Sequence, residues 1–313
     1  MKAQGSALVA SLVVLCASLP TGAQELEPRA YSPSPVGTNF FAVVLGETRG
    51  AILFDPTVPI TDAHSDFAGV GLGYGRTFAL GDRQGLVLAT LPYAWGHAEG
   101  VVFAGTAVQE TRFRRVSGFG DMRLKASINL LGPKAMSPEE FRAAPRSTIL
   151  GVSLTVQAPT GEYDETRLIN IGTNRWAFKP EIGVSVPVGR WYLDAYAGVV
   201  FFQTNDEFFP GDAVRRQDPL TAVQAHTSYT FRNQAWFAVD ATWYGGGEAT
   251  VDSGPPSARQ NSTRLGGTVA FPLPRGHSLK LAYSTGASTR TGSDFDTFLA
   301  AWQVRWFDRK PAE

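Results

Sequence analysis

Residues 191–201 have the sequence WYLDAYAGVVF, and every odd position from Trp191 to Phe201 holds an apolar side chain. The even positions up to 198 hold Tyr192, Asp194, Tyr196 and Gly198. Successive side chains of a β-strand point to opposite faces, so this stretch predicts a strand with one apolar and one polar face. A tilted strand of about 9–11 residues is long enough to cross the hydrocarbon core of a bilayer.

The same period of two residues recurs along most of the chain. It predicts twelve strands, at residues 37–46, 66–79, 85–97, 118–131, 147–158, 175–187, 191–203, 218–231, 235–246, 263–273, 278–288 and 295–307. Connections after even-numbered strands are mostly short, and those after odd-numbered strands are mostly long and polar. The longer connection 132–146 contains Ser137-Pro138-Glu139-Glu140, which predicts a capped short periplasmic helix.

An alternating pattern also fits a soluble β-sandwich, whose polar face is the outside. Two features favour a membrane barrel instead: aromatic side chains such as Tyr93, Trp95, Trp176 and Trp243 cluster at strand ends, and long loops alternate with short turns. Hydrocarbon offers no hydrogen-bond partner, so strands cross a membrane only when every edge is paired. We therefore predict an all-β protein, a transmembrane antiparallel up-and-down β-barrel of about twelve strands with both termini in the periplasm.

Residues 1–23 have the layout of a secretory signal peptide, with Lys2, an apolar run from Ala7 to Leu19 and small residues up to Ala23. Cleavage there would remove Cys16, the one cysteine of the chain, and leave no disulfide framework. The expected destination is the bacterial outer membrane. The rest divides into an N-terminal segment, 24–36, a barrel, 37–307, and a tail, 308–313. The proline-rich stretch from Tyr31 to Pro35 is either a plug in the lumen or a periplasmic lead-in.

Four glycines share one face of the second predicted strand: Gly69, Gly71, Gly73 and Gly75. They leave room for a substrate or for an inserted N-terminal segment, or they mark bending and close backbone approach, which is the commoner role of glycine in strands. The last strand ends in Trp306-Phe307, which resembles the C-terminal signal bound by the barrel-assembly machinery, although Asp308 to Glu313 follow it.

The charge balance excludes one class of partner. Lys and Arg total 28, and Asp and Glu also total 28, so the chain has no basic footprint for nucleic acid. No His, Asp and Glu residues have the spacing of metal ligands. We expect no metal and no cofactor.

Three segments resemble one known family: residues 29–40 (RAYSPSPVGTNF), residues 167–181 (RLINIGTNRWAFKPE) and residues 293–297 (SDFDT). They are similar to the outer-membrane transporters named for the meta-pathway of phenol degradation, and the resemblance covers nearly the whole mature chain. It implies a barrel in the outer membrane and, by association, uptake of aromatic or other small hydrophobic compounds. No substrate-binding residues come with it.

If the apolar face meets lipid, the polar face lines the lumen. An Arg or Lys that faced lipid near the midplane would cost about 2–4 kcal/mol, so inward placement is nearly forced. The side chains predicted to line the pore are Asp121, Arg123, Lys125, Lys179, Glu181, Asp194, Gln224, His226, Asp240, Lys280, Gln303 and Arg305. They form either a mixed-charge constriction that selects solutes or a ladder of ion pairs that braces a narrow barrel.

The predicted function is an outer-membrane channel for passive uptake of small organic, aromatic or hydrophobic solutes. The alternative is a non-transporting barrel with a structural or adhesive role, or a hydrolase. His226 and Ser228 share a face, and Asp240 lies on the inward face of the next strand, but a catalytic triad needs mutual hydrogen-bond reach. A histidine in mid-strand on the lumen side is more typical of a polar ladder, so we predict that the protein is not an enzyme.

Overall fold

The computed structural model describes residues 27–52, 60–102, 110–291 and 294–308. The predicted signal peptide and most of the predicted C-terminal tail lie outside this part of the chain. The strands are β1 Thr38–Ile52, β2 Ile60–Leu80, β3 Arg83–Val102, β4 Glu110–Phe119, β5 Arg123–Leu131, β6 Ile149–Gln157, β7 Ala177–Val188, β8 Trp191–Phe202, β9 Asn205–Phe208, β10 Ala213–Gln217, β11 Leu220–Thr230, β12 Trp236–Gly246, β13 Ala249–Val251, β14 Gln260–Pro272, β15 His277–Thr291 and β16 Asp294–Phe307. One short helix, α1, spans Pro138–Ala143.

Twelve barrel strands close into a cylinder. β1 pairs with β2 on one edge and with β16 on the other, and every neighbouring pair around the sheet is antiparallel. β4 and β5 together form the fourth barrel strand, whereas β9, β10 and β13 form a separate three-stranded sheet. Thr38 lies opposite Phe307, so the first and last strands start and finish at the same end of the cylinder. The predicted up-and-down barrel of about twelve strands is confirmed.

The outer face of the wall is apolar and the inner face is polar, which is the reverse of a soluble sandwich. On β8, Leu193 and Phe201 are both 46% exposed, whereas Asp194 is 4% and Tyr196 is 2% exposed. Large exposed apolar side chains recur on all twelve barrel strands, from Leu45 on β1 to Phe298 on β16. A continuous apolar outer surface with a polar interior is the arrangement of a barrel surrounded by lipid.

The two ends of the barrel differ in their connections. Two-residue turns join β2 to β3 and β7 to β8, and Gly81 and Gly189 supply the positive φ of +61° that each turn requires. Short turns mark the periplasmic end of such barrels, and long loops mark the extracellular end. The periplasmic connection 132–148 contains α1, and the side chain of Ser137 caps it as predicted. Within the described chain, no helix is both long and apolar enough to cross a membrane.

Two features of the extracellular half differ from the prediction. Residues 204–217 and 247–262 were predicted only as long polar connections, and they contribute β9, β10 and β13 to the small sheet. The predicted continuous strand 118–131 is interrupted at residues 120–122, between β4 and β5. Gly120 and Asp121 lie at this interruption, where the Gly120 N–H still donates to the Pro92 carbonyl of β3 at 2.9 Å and the Asp121 carboxylate accepts from the backbone N–H groups of Gly161 and Thr173.

Candidate functional site

The candidate site is the interior of the barrel. All twelve side chains predicted to line it alternate with outward-facing neighbours and lie on the inner face. Buried among them are Asp121, Glu181, Asp194, Gln224, His226, Asp240, Lys280 and Gln303, and part-buried are Arg123, Lys125, Lys179 and Arg305. Their neighbours in the lumen define what they can do.

Residues 27–36, here called the lumenal segment, run inside the barrel. Tyr31 is 2% exposed, and its hydroxyl lies 3.1 Å from the Ser153 hydroxyl and 3.1 Å from a Glu181 carboxylate oxygen, to which it donates. Its ring meets the ring of Tyr196 edge-on, with centroids 5.2 Å apart. The backbone N–H of Ala30 donates to the Tyr196 hydroxyl at 3.1 Å. Tyr31 therefore joins β6, β7 and β8 from within the lumen.

Two inner-face glycines make room for Tyr31. A Cβ atom at Gly151 would lie 2.3 Å from the ring, and a Cβ atom at Gly183 would lie 2.2 Å from it. Real Cβ contacts are never this short, so only glycine allows the aromatic ring to lie against these two strands.

Arg29 anchors the lumenal segment near the periplasmic end. Its guanidinium donates to the Ser228 hydroxyl at 2.8 Å and to the Thr230 hydroxyl at 2.7 Å. The same group lies over the rings of Tyr192, at 4.9 Å, and Trp236, at 4.6 Å. Hydrogen bonds and aromatic faces thus hold a cation that is 3% exposed.

Charged side chains of the wall form ion pairs around the segment. The Lys125 ammonium lies 2.6 Å from the Glu27 carboxylate and 4.0 Å from that of Glu181, and Lys179 lies 2.9 Å from Glu181. The side chains of these four residues are between 3% and 16% exposed. At this level the charges predicted to line a pore bind one another and the lumenal segment.

His226 and Asp240 form a second buried polar contact. His226 Nδ1 and Asp240 Oδ1 are 2.7 Å apart, and the Thr268 hydroxyl donates to the other Asp240 oxygen at 3.1 Å. The Ser228 hydroxyl accepts from Arg29, and His226 Nε2 has no hydrogen-bond partner among the described residues. The three residues weighed as a catalytic triad therefore lack a serine in hydrogen-bond contact with the histidine, as nucleophilic catalysis requires.

The opposite wall of the lumen is apolar. Ala42, Val44, Leu88 and Ala301, from β1, β3 and β16, pack together on the inner face. The glycines of β2 lie between β1 and β3, and a Cβ atom at Gly75 would lie 3.0 Å from Leu88 Cδ1. The structure thus favours the close-approach interpretation at Gly75, because the leucine side chain lies over the position that a larger residue would occupy.

At the extracellular end, residues 158–176, here called the cover loop, fold into the barrel. The Asp121 carboxylate accepts from the Thr173 backbone N–H at 3.0 Å, the Thr173 hydroxyl at 2.6 Å, the Gln157 side chain at 2.9 Å and the Gly161 N–H at 2.9 Å. Ile171 is 5% exposed and packs on Phe67. Asp121 was predicted to line the pore, and it faces inward, but three of its four bonds hold the cover loop, and the fourth comes from Gln157 of β6.

Sequence analysis did not identify the contacts of Arg29, Tyr31 and Arg264, although it considered the stretch from Tyr31 to Pro35 as a possible plug. Arg29 and Tyr31 lie in a segment whose sequence has no alternating pattern, and their only signal was a cation and an aromatic ring beside a proline-rich stretch. Arg264 is 3% exposed, donates to the Ser284 hydroxyl at 3.0 Å and lies over the Phe295 ring at 4.3 Å. Its alternation with the exposed Leu265 could have identified it. No cluster of three or more metal-ligating side chains occurs in the described chain.

A closed barrel of twelve strands, with an apolar outside and a polar interior, defines a membrane β-barrel of the outer-membrane class. The family model described as "Putative MetA-pathway of phenol degradation" matches residues 60–301. The chain belongs to this family, which confirms the resemblance found in three segments of the sequence. No curated protein sequence matches the chain at a significant level.

Three solved structures share the fold. The COG4313 outer membrane channel from Pseudomonas putida F1 has 19% sequence identity and a TM-score of 0.73, with 90% of this chain and 100% of that chain covered. The β domain of the Bordetella autotransporter BrkA has 13% identity and a TM-score of 0.52, covering 86% and 100%. The transport unit of the autotransporter AIDA-I from Escherichia coli has 10% identity and a TM-score of 0.51, covering 85% and 90%.

Proposed function

We propose that the protein is an outer-membrane channel, not an enzyme, for passive uptake of small organic solutes, and that the lumenal segment holds it closed. One observation carries the proposal: the interior contains a run of backbone, residues 27–36, and not side chains of the wall alone. Eight-stranded barrels are filled by their own side chains, whereas sixteen or more strands leave a channel. A lumen that accommodates a peptide accommodates a small solute once the peptide leaves.

The contacts of the lumenal segment suit reversible closure. Apart from the packing of the Tyr31 ring on the wall, they consist of hydrogen bonds, one cation over two aromatic rings, and the ion pair between Glu27 and Lys125. Water can replace each of these contacts when the segment withdraws, so the net free energy lost per contact is modest. The segment is also connected directly to the periplasmic end of β1, so it can leave without unfolding the barrel.

The printed name of the Pseudomonas putida structure supports a channel, and the family description supports solutes of the phenol class. The apolar inner wall around Val44 and Leu88 supports solutes with an apolar body. The runner-up function, a non-transporting structural barrel, is supported by the ion pairs among Lys125, Lys179 and Glu181. Conductance measurements separate the two.

The experiment is single-channel recording of the refolded mature protein in planar bilayers, with and without a small aromatic carboxylate. Arg29→Ala combined with Tyr31→Ala removes both anchors of the segment, and we expect it to lengthen open times. Arg190→Ala removes an exposed arginine of the periplasmic turn and serves as the control. Block by the carboxylate that shifts in Lys179→Gln or Arg305→Gln would support the proposed lining. A folded double variant that never conducts would contradict the channel function.

A further inference from the structure

Arg175 is a buried cation at the extracellular end of the lumen. It lies in the cover loop, two residues before β7 begins, and is 7% exposed. Its guanidinium carbon lies 4.4 Å from the centroid of the Phe202 ring, and its Nη2 donates to the side-chain oxygen of Gln217 on β10. Its Nη1 has no hydrogen-bond partner among the described residues. The group therefore has one neutral acceptor and an N–H edge that can take another.

The charge of Arg175 is costly to hold in this position. Burial first, and then the charge of Arg215, lower the pKa of Arg175 from 12.5 to about 9, while Asp121 acts in the opposite direction. The group stays charged at neutral pH, so the fold holds a cation that has lost most of its hydration. An anion beside the guanidinium would replace the lost hydration, because a buried charge is stabilised by an opposite charge that also bonds to it.

An apolar surface lies beside Arg175 on the inner face of the wall. Phe202, whose ring the guanidinium covers, packs against buried side chains of four strands. These side chains, here called the extracellular apolar cluster, are Ala177, Val200, Leu220, Ala222 and Tyr244. Each of them is between 1% and 6% exposed. A cation next to an apolar surface suits a solute that has an anionic head and an apolar body.

A second buried guanidinium, that of Arg264 on β14, borders the same cluster. Arg264 Nη2 donates to the Ser284 hydroxyl at 3.0 Å, whereas its Nη1 has no partner among the described residues. Thr242 lies opposite Arg264, and Gln224 lies opposite Thr242. The buried atoms Thr242 Oγ1 and Gln224 Oε1 also lack a partner in this part of the chain. Tyr244 of the extracellular apolar cluster is the next inner-face residue after Thr242. Polar atoms buried without a bond cost free energy, which a polar solute that bonds to them recovers.

Gln217 joins Arg175 to the backbone that covers the extracellular apolar cluster. Its amide N–H donates to the Gly247 carbonyl at 3.1 Å, while its amide oxygen accepts from Arg175. A Cβ atom at Gly247 would lie 3.2 Å from Leu220 Cδ1, so this part of the chain lies on the cluster. An acceptor that replaced Gln217 at Arg175 would therefore loosen the cover of the cluster at the same time.

We propose that the extracellular half of the lumen contains a binding site for small organic carboxylates that have an apolar body. The carboxylate displaces the Gln217 amide from Arg175 and accepts from Nη1 and Nη2 together, a bidentate geometry that one amide oxygen does not provide. The apolar body lies against Leu220 and Tyr244, where its burial is favourable. Arg264 provides a second cation at the far side of the cluster. This inference rests on the proposed channel function, and it names the class of solute that the channel selects.

The first test compares three probe solutes. Benzoate has both the anionic head and the apolar body, benzyl alcohol has the body without the charge, and acetate has the charge with little apolar body. Calorimetry on the refolded mature protein in detergent micelles measures their binding, and planar bilayers measure their block of single-channel current. We expect benzoate to bind about tenfold or more tightly than either other probe, because only benzoate uses both the guanidinium and the apolar cluster.

The second test changes the side chains that hold the carboxylate. Arg175→Gln removes the cation, and we expect it to raise the dissociation constant of benzoate about tenfold or more. Arg264→Gln should also weaken benzoate binding. Gln217→Ala removes the competing amide, so benzoate should bind more tightly, which a merely structural role of Arg175 would not produce. Arg167→Gln is the matched control, because it removes the same charge from the same loop at a side chain that is 57% exposed.

Two outcomes would overturn the carboxylate site: equal binding of benzoate and benzyl alcohol, or equal changes of benzoate binding in Arg175→Gln and Arg167→Gln. Heat-modified gel mobility first shows that each variant is a folded barrel. If Arg175→Gln does not fold, the three probes on the unchanged protein and the Gln217→Ala variant still decide. If bilayers record openings but benzoate does not bind, the site is wrong and the channel function stands. If benzoate binds to a folded protein that never conducts, the channel function is wrong and the site stands.

Discussion

At Gly183 the inner wall touches the Tyr31 ring, and any side chain at this position competes with the ring for the same space. Gly183→Ala places a methyl group 2.2 Å from the ring in the present arrangement. Overpacking of this kind costs about 1–3 kcal/mol, which the molecule can relieve by releasing the lumenal segment. We expect longer channel openings in planar bilayers than for the unchanged protein.

Two comparisons isolate that effect. Gly267→Ala adds a methyl group whose nearest neighbour, the Ala238 carbonyl oxygen, is 3.7 Å away, so it should leave the openings unchanged. In a Tyr31→Ala background, Gly183→Ala should have a smaller effect than in the unchanged protein, because of its two ring contacts only the one with Tyr196 Cδ1, at 2.6 Å, remains. Additive effects of the two substitutions would show that Gly183 acts through another contact.

Some contacts between single residues could be predicted from the sequence pattern, and others could not. Alternation placed His226 and Asp240 on the inner face, and the short turn between β11 and β12 made them neighbours, so their contact could be anticipated. The bond from Arg29 to Ser228 joins residues 199 positions apart, and it depends on where an irregular segment enters the barrel. No local pattern specifies such a position, because alternation determines which face a side chain has and not which distant residue it meets.

At the scale of elements, the connection that contains α1 bonds to the base of the lumenal segment. Connection 132–148, which contains this helix, accepts a bond from the Val36 N–H at the Met136 carbonyl, at 2.8 Å. The Ser137 N–H donates to Glu140 Oε2 at 2.8 Å, and this bond, with the Ser137 hydroxyl, lowers the pKa of Glu140 below its ordinary 4.5. The contribution of the cap is therefore present above about pH 4.5 and is lost as the pH falls through the lowered pKa.

Ser137→Ala tests this cap directly. The hydroxyl that accepts from the Glu140 N–H is lost, which typically weakens a helix start by about 1 kcal/mol. We expect the pKa of Glu140 to rise towards its ordinary value, measured by an NMR titration of the carboxyl in detergent micelles. Ser147→Ala, an exposed serine of the same connection, should leave the Glu140 titration unchanged. An unaltered Glu140 pKa in Ser137→Ala would contradict the assigned cap.

The elements also divide into those that sequence could predict and those that it could not. Residues 191–203 and 235–246 were predicted to within a few residues because apolar and polar side chains alternate along each strand without interruption. A lipid environment favours apolar side chains on the outer face along the whole strand. The break between β4 and β5 was missed because Gly120 and Asp121 preserve the alternation even though the backbone leaves the ladder. The small sheet of β9, β10 and β13 was missed because strands of three to five residues are too short to show a period.

At the scale of the whole molecule, the barrel should fold without the lumenal segment. Closure of the cylinder depends on the pairing of β1 with β2 and β16, and all of that pairing begins at or after Thr38. A chain that lacks residues 24–36 should therefore still fold in lipid. It should open more often than the mature protein, because Tyr31, Arg29 and Glu27 no longer occupy the lumen. Planar bilayer recordings compare its conductance with that of the mature protein.

A synthetic peptide of residues 24–36 makes this last prediction specific. Added on the side of the bilayer that faces the short turns, it should block the shortened barrel, because Ser228, Thr230 and Glu181 remain available to bind it. The same peptide with Arg29 and Tyr31 replaced by alanine should not block. Addition on the loop side should have less effect, since the cover loop folds over that mouth. A shortened barrel that stays silent would show that something other than residues 24–36 closes the lumen.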